Sequence, residues 1–181
     1  MVIGYLEPHD RPETMALAEH LETVPPREWR VGDAVFHEMD VEAILARKPQ
    51  VVLVDELAHT NADGSKNDKR YSDVLEVLAQ GINVISTINV QHLESVAARV
   101  EEATGIAVRE RIPDTVLRRA DQVVNVDVTK EELRERLRQG KIYAPQQAER
   151  ALSSFFTYEN LSFLRELCLR EASGDLSLIQ I

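Results

Sequence analysis

The run Val51-Val52-Leu53-Val54, followed at once by Asp55-Glu56, constrains this chain more than any other feature. Four consecutive apolar residues, mostly β-branched, read as a strand buried on both faces, as in parallel sheets. Such a strand cannot stand alone, because its backbone groups need partners and its faces need cover. Two carboxylates at its carboxyl end then lie where open α/β sheets place their ligands, so acid chemistry is expected there.

The flanking sequence supplies neighbours for that strand. Val2 to Leu6 reads as a strand, and Asp10 with Pro12 and Glu13 opens a helix carrying Met15, Ala18 and Leu21, ended by Val24-Pro25-Pro26. Residues 27–39 are ambiguous apart from a short strand around Ala34 to Phe36. Val41, Ile44 and Leu45 repeat at helical spacing until Pro49. Beyond the acidic pair, Asn61 to Arg70 has loop composition throughout, and its length points to a functional or mobile loop. Val74, Leu75, Val77 and Leu78 mark a helix ended by Gly81, Ile82 to Thr87 is a second buried strand, and Leu93, Val96, Ala97 and Val100 share a helical face. A further strand is expected at Gln122 to Val126. This alternation predicts an α/β fold around a parallel sheet. From Thr129 onward only helices are expected. Thr129 and Glu132 form a capping box, Leu133 and Leu137 a stripe, and Gly140 a stop. Pro145 opens a helix with Ala148, Leu152, Phe155 and Phe156, and Asn160 caps a last one with Leu161, Leu164 and Cys168. The expected organisation is an α/β domain over residues 1–128, a helical extension over 129–173 and a tail over 174–181.

With 181 residues, 44% of them hydrophobic, the chain can build one globular domain with a real core. A formal net charge of -10 opposes general attraction to a nucleic-acid backbone, so no nucleic-acid partner is expected. The one cysteine, Cys168, fits a reducing compartment and sits in an apolar helical stripe, so it reads as core rather than nucleophile. No signal peptide and no long apolar run are present, so a soluble, cytoplasmic chain without direct membrane insertion is expected. The five histidines lack metal-ligand spacing, and no structural zinc is expected.

The acidic pair carries the strongest chemistry. In nucleotide hydrolases this arrangement, called Walker B, uses the first carboxylate to hold magnesium and the second to orient or activate a water. Asp55 is therefore the expected magnesium ligand and Glu56 the expected catalytic carboxylate. The simpler alternative is that one caps the next helix and the other faces solvent. Thr87 and Asn89, at the end of the second buried strand, would line the same edge and sense a terminal phosphate, although an ordinary helix N-cap is the better reading of them by pattern alone. His59 would contact a phosphate or link the pair to loop movement, or act as a structural donor. Lys66, Lys69 and Arg70 form one basic cluster and Arg118-Arg119 another. Guanidinium groups suit phosphoryl oxygens, but solvated surface charge is the default reading of both. A phosphate cradle of the form G-x-x-x-x-G-K-[ST] should precede the carboxylate strand, and nothing between Met1 and Gln50 matches it.

Val51 to Arg70, VVLVDELAHTNADGSKNDKR, together with Gly81 to Ser95, GINVISTINVQHLES, resembles the cytosolic N-terminal region of the Kdp-type, potassium-responsive sensor histidine kinases, the KdpD family. Gly4 to Thr14, GYLEPHDRPET, Ile112 to Asp121, IPDTVLRRAD, and Gly140 to Leu152, GKIYAPQQAERAL, extend the resemblance over nearly the whole chain. It implies a three-layer parallel sheet of P-loop nucleotide-hydrolase type with C-terminal helices. In that family the region binds Mg-ATP and tunes kinase and phosphatase activities lodged elsewhere, in a two-component system controlling synthesis of a potassium-uptake pump. Asp55 and Glu56 stand at the family's Walker B positions. The implied partners are the remaining domains of a sensor kinase and, further, a second copy of the chain.

Members of that family place a strand, a glycine-rich loop ending in Gly-Lys-Thr, and a helix ahead of the segment equivalent to Val2-Ile3-Gly4-Tyr5. This sequence begins after them, so the fold is expected to be incomplete at its N-terminus, lacking a strand from inside the sheet. The expected function is that of a regulatory ATP-binding-type input domain, truncated or degenerate, without a kinase core and with weak or no ATP binding by these residues alone. Two alternatives stand beside it. One is a nucleotide-independent interaction module presenting Phe155, Phe156 and Leu161, and the other is an ATPase whose P-loop lies outside this sequence.

Overall fold

The structure is a computed structural model describing residues 1–9, 11–173 and 178–180. It divides into two units, Met1–Asn89 and Val90–Ile181, a boundary well before the change to a helical pattern at Thr129. The first unit runs β1 (Val2–Tyr5), α1 (Pro12–Ala18), β2 (Glu22–Thr23), β3 (Arg27–Val31), β4 (Ala34–Glu38), α2 (Val41–Arg47), β5 (Val51–Val54), α3 (Arg70–Ala79) and β6 (Asn83–Ser86).

Four of these strands form a parallel sheet in the order β2-β1-β5-β6, so the carboxylate-bearing β5 is paired on both sides. Pairing among the four is continuous. Among the described residues the sheet ends at β2 and at β6. Val52 lies opposite Val2 and Val84, and Leu53 opposite Ile3 and Ile85. Since side chains alternate across a strand, these two rows face opposite sides. The first row packs into a core with Val41 and Ile44 of α2 and Val74 and Val77 of α3. On the second row Ile3 is buried, while Ile85 is 58% exposed. The buried cluster of this unit gathers on the face of the first row.

Local chemistry explains the tight side of this sheet. Asp40 caps α2 by accepting the Ala43 N–H at 2.9 Å, and Lys48 ends it in the left-handed region at φ 51°. Gly4 sits where the β1/β5 register shifts, and a Cβ there would lie 2.6 Å from Val52 Cγ2 and 2.9 Å from Ile44 Cδ1. Only glycine lets α2 approach the sheet so closely. The shift also brings Tyr5 opposite Val54, where it packs against the core.

Residues 27–39 resolve into an antiparallel hairpin, with Trp29 opposite Phe36 and a two-residue turn whose first member, Gly32, has φ 59°. Glycine at positive φ in that position is the signature of a tight hairpin turn. The strands are mostly exposed, so no clean apolar alternation marked them in the sequence. Asp10 lies outside the described residues. Helix α1 starts after Arg11, which makes no side-chain cap, and it buries none of its residues.

The second unit opens with a single 3-10 turn at Val90–His92, then α4 (Glu94–Thr104), α5 (Asp114–Leu117), β7 (Val123–Asn125), α6 (Lys130–Arg138), α7 (Pro145–Ser153), α8 (Tyr158–Ser173) and β8 (Leu178–Gln180). Its buried residues include Val96, Ala97, Val100, Leu137 and Leu167. The expected cap at Thr129 forms, its hydroxyl accepting the Glu132 N–H at 3.2 Å. Asn160 is not the cap of the last helix. That helix begins at Tyr158, the Thr157 hydroxyl accepts the Asn160 N–H at 3.2 Å, and the Asn160 amide instead donates to the carbonyls of Ser154 and Phe155. Phe155 and Phe156 lie beyond the end of α7 and meet edge to face at 5.1 Å. Of the tail expected to be frayed or appended, Leu178–Gln180 pair in parallel with β7, and residues 174–177 and 181 lie outside the described residues. Among the described residues no helix is long and apolar enough to cross a membrane.

Gly4→Ala is expected to lower the unfolding free energy by about 1–3 kcal/mol, the cost of forcing a methyl group into a packed core. Urea titration would show this as an earlier midpoint at unchanged slope.

Candidate functional site

Parallel strands deliver their following loops to one edge, and here that edge gathers Glu7 and His9 after β1, Asp55 and Glu56 after β5, and Thr87 after β6. The Thr87 hydroxyl donates to Asp55 Oδ1. The Glu7 N–H donates to Asp55 Oδ2 at 3.3 Å, and the Glu56 N–H donates to both Asp55 Oδ1 and Thr87 Oγ1 at 3.1 Å. Donors converging on a carboxylate from several sides fix its direction. Asp55 is therefore oriented by the two strands beside its own.

Glu56 sits in the left-handed region at φ 52°, and His9 does so at φ 46°. Their side chains meet, with His9 Nε2 3.0 Å from Glu56 Oε1. Neither Glu7 nor His9 was singled out in the sequence. Their position just after the first strand, at the edge shared with Asp55, was the signal available.

His59 lies elsewhere in this network. Its Nε2 is 3.2 Å from the Glu38 carboxylate, and its ring stacks on Tyr5 with centroids 6.5 Å apart. Arg70 corrects the reading of its cluster as surface charge, because its side chain is completely buried. Its guanidinium lies 3.7 Å over the Tyr5 ring, donates to Glu38 Oε2 at 3.3 Å, and donates to the Asp55 carbonyl at 3.2 Å. The loop carries Arg70 inward by folding back on itself, with the Arg70 N–H on the His59 carbonyl and the Asn61 N–H on that of Asp68. Lys66 pairs with Glu76 and Lys69 donates to the Thr60 hydroxyl, both at the surface. Asn89 is exposed, as are Arg118 and Arg119 in the second unit.

Burial works to raise the Glu38 carboxyl, but hydrogen bonds from His59 and the Ala62 amide, with the nearby positive charges, outweigh it and hold the group below the usual glutamate range. Asp73 goes the other way. Burial raises it, against donation from the Asn67 and Asn61 amides. In the second unit burial also raises the Cys168 thiol, which suits a packing role rather than a nucleophile.

A cavity of about 60 Å³ is lined by Trp29, Glu38, Asp40, Asn61, Ser65 and Asp73 among others, and no member of the acidic pair reaches it. Among the described residues no group of three or more His, Cys, Asp and Glu side chains is arranged to hold a metal. Magnesium, however, uses one or two carboxylates together with substrate phosphates. The oxygens of Asp55 and Glu56 fit that mixed set, and do not fit an ion held by the protein alone.

A carboxylate pair after a central parallel strand, its first member held by the end of the neighbouring strand, marks an α/β domain, and it stands at the carboxyl edge, where open α/β sheets place their ligands. The chain belongs to the KdpD family, whose model, described as the osmosensitive K+ channel His kinase sensor domain, matches residues 1–176. It is 53% identical over 176 residues to the putative sensor protein KdpD of Synechocystis sp., covering 97% of this chain and 48% of that protein. The sensor protein KdpD of Mycobacterium tuberculosis is 53% identical over 93% of this chain and 20% of its own length, and that of Escherichia coli 46% identical over 96% and 19%. The chain thus spans about half the length of the first of these relatives and about a fifth of the others.

Because Glu38 titrates low in the folded state, its ionisation adds stability that is present above its unfolded pKa and lost as pH falls through the lower folded value. Asp73 acts in the opposite sense, its contribution being lost as pH rises through its raised folded value. The informative quantity is therefore the stability difference between wild type and Glu38→Gln, which is expected to shrink as urea titrations move down through the carboxylate range. Arg70→Met is expected to destabilise by about 3–5 kcal/mol, since it leaves Glu38 buried without its countercharge.

Proposed function

We propose that this chain is a regulatory ATP-binding-type input domain of P-loop type, belonging to a cytoplasmic portion of a potassium-responsive sensor histidine kinase. The observation that carries the reading is the Asp55 carboxylate, held by the Thr87 hydroxyl and the Glu7 amide at the sheet's carboxyl edge with Glu56 beside it. Asp55 would hold magnesium, and Glu56 would orient a water and accept its proton. Bound magnesium would supply charge neutralisation for the nucleotide phosphates. Thr87 sets the direction of Asp55, and Asn89, exposed two residues later, would contact the nucleotide. His59, through Glu38 and Arg70, ties the polar loop to the Asp55 backbone and so would report ligand state to that loop.

These 181 residues contain no Gly-x-x-x-x-Gly-Lys-Ser/Thr sequence. A strand bringing such a cradle would pair with the free edge of β6, whose sequence Asn-Val-Ile-Ser carries neither charge nor proline to block addition. The relatives are sensor proteins, which supports a role in signalling. Through the parent family, that role extends to two-component control of a potassium-uptake pump, with the remaining kinase domains, or a second copy, as partners. An interaction module built on Phe155, Phe156 and Leu161 has less support, because Leu161 is buried and the two rings are partly buried against each other.

Calorimetry with ATP tests the reading. The expected result is weak binding, above micromolar in dissociation constant, that requires magnesium and disappears in Asp55→Ala. Binding indifferent to magnesium and to Asp55→Ala, or no binding at millimolar ATP, would overturn it.

A further inference from the structure

Two residues with side chains occupy the left-handed region at one edge of the sheet, and they touch. His9 and Glu56 come from loops after different strands, and each adopts a backbone conformation that disfavours any residue but glycine. His9 Nε2 and Glu56 Oε1 lie 3.0 Å apart, a hydrogen-bond distance across which the ring N–H can donate to the carboxylate. His9 is steadied in turn. Its Nδ1 is 3.7 Å from Glu7 Oε1, its N–H donates to the same oxygen at 3.4 Å, and the Tyr5 hydroxyl donates to Glu7 Oε2 at 3.4 Å. Glu7 also places its own N–H on Asp55. The short segment from Glu7 to His9 therefore touches both members of the acidic pair.

The contact contributes little to stability, since the His9 and Glu56 side chains are 49% and 38% exposed and surface ion pairs are weak. What it supplies is direction. It engages Oε1 of Glu56, and Oε2 has no partner among the described residues. His59, the histidine nearest in sequence, is turned to Glu38 instead.

We propose that His9 is the positioning residue of Glu56, tying down Oε1 so that Oε2 is the oxygen presented to a water beside the terminal phosphate of a nucleotide. The proposal deepens the nucleotide reading and rests on it. Without His9 the Glu56 side chain turns freely about its own bonds, while Asp55, held by Thr87 and Glu7, keeps its place.

Carboxyl-carbon NMR of the 181-residue protein, with Mn2+-ATP as a paramagnetic probe, separates the two claims. In wild type, millimolar Mn2+-ATP is expected to broaden the Asp55 Cγ and Glu56 Cδ signals together. In His9→Ala the broadening of Asp55 persists, that of Glu56 weakens, and the ligand-free Glu56 signal moves towards that of a mobile glutamate. His9→Gln, which restores a donor at similar reach, returns Glu56 towards wild type, an outcome that a general loosening of the fold would not give. Equal broadening of Glu56 in wild type and His9→Ala overturns the role of His9 while the nucleotide reading stands. Absence of Asp55 broadening in wild type overturns the nucleotide reading, and this proposal with it.

Discussion

A guanidinium without solvent contact must find all its compensation inside the protein, and Arg70 is such a group. Its charge is met by Glu38 from the end of the hairpin, its flat face by Tyr5 from β1, and one of its donors by the carbonyl of Asp55 at the end of β5. Three separate stretches of chain are thereby fixed relative to one side chain. The polar loop joins them because His59 and Ala62 bind the same glutamate. Position at the sheet edge is therefore set as much by a buried charge as by the strand ladder.

This arrangement gives the acidic pair unequal freedom. Asp55 is held from both flanks, through its carboxylate by Glu7 and Thr87 and through its carbonyl by Arg70. Glu56 hangs from a left-handed backbone and reaches outward to a half-exposed histidine. The two carboxylates are thus suited to different tasks, one to staying put and the other to responding. In the proposed function magnesium coordination falls to the first and handling of a water to the second.

Much of the first unit was legible in the sequence because burial imposed a period on it. Val51–Val54 and the helix faces at Val41/Ile44 and Val74/Val77 show the pattern that the core demands, and Asp55 and Thr87 follow from where their strands end. Of the hairpin over Arg27–Glu38 only the short strand around Ala34 to Phe36 was legible, since its strands are mostly solvated and their order comes from a turn at Gly32 and from cross-strand pairs such as Trp29 with Phe36. Arg70 was misplaced for a related reason. A basic residue in a polar run gives no local sign of burial when its partners lie at positions 5, 38 and 55. His9 was passed over because, although its place after the first strand was a signal, its partner lies 47 positions away. The Asn160 cap was misread because Thr157, three residues earlier, offered the better hydroxyl.

The two ends of the parallel sheet are built differently. At β2 the edge strand is only two residues long, and its Glu22 is clamped by both an Nε and an Nη donor of Arg47 at 2.6 and 2.7 Å. At β6 the edge is longer, uncharged, and bears Ile85 against solvent. Shortness and charge discourage further pairing, whereas a longer strand without charge or proline discourages it less. Among the described residues the sheet therefore has one short, charged edge and one longer, uncharged edge, the latter on the side where Thr87, the hydroxyl that orients Asp55, marks the last strand.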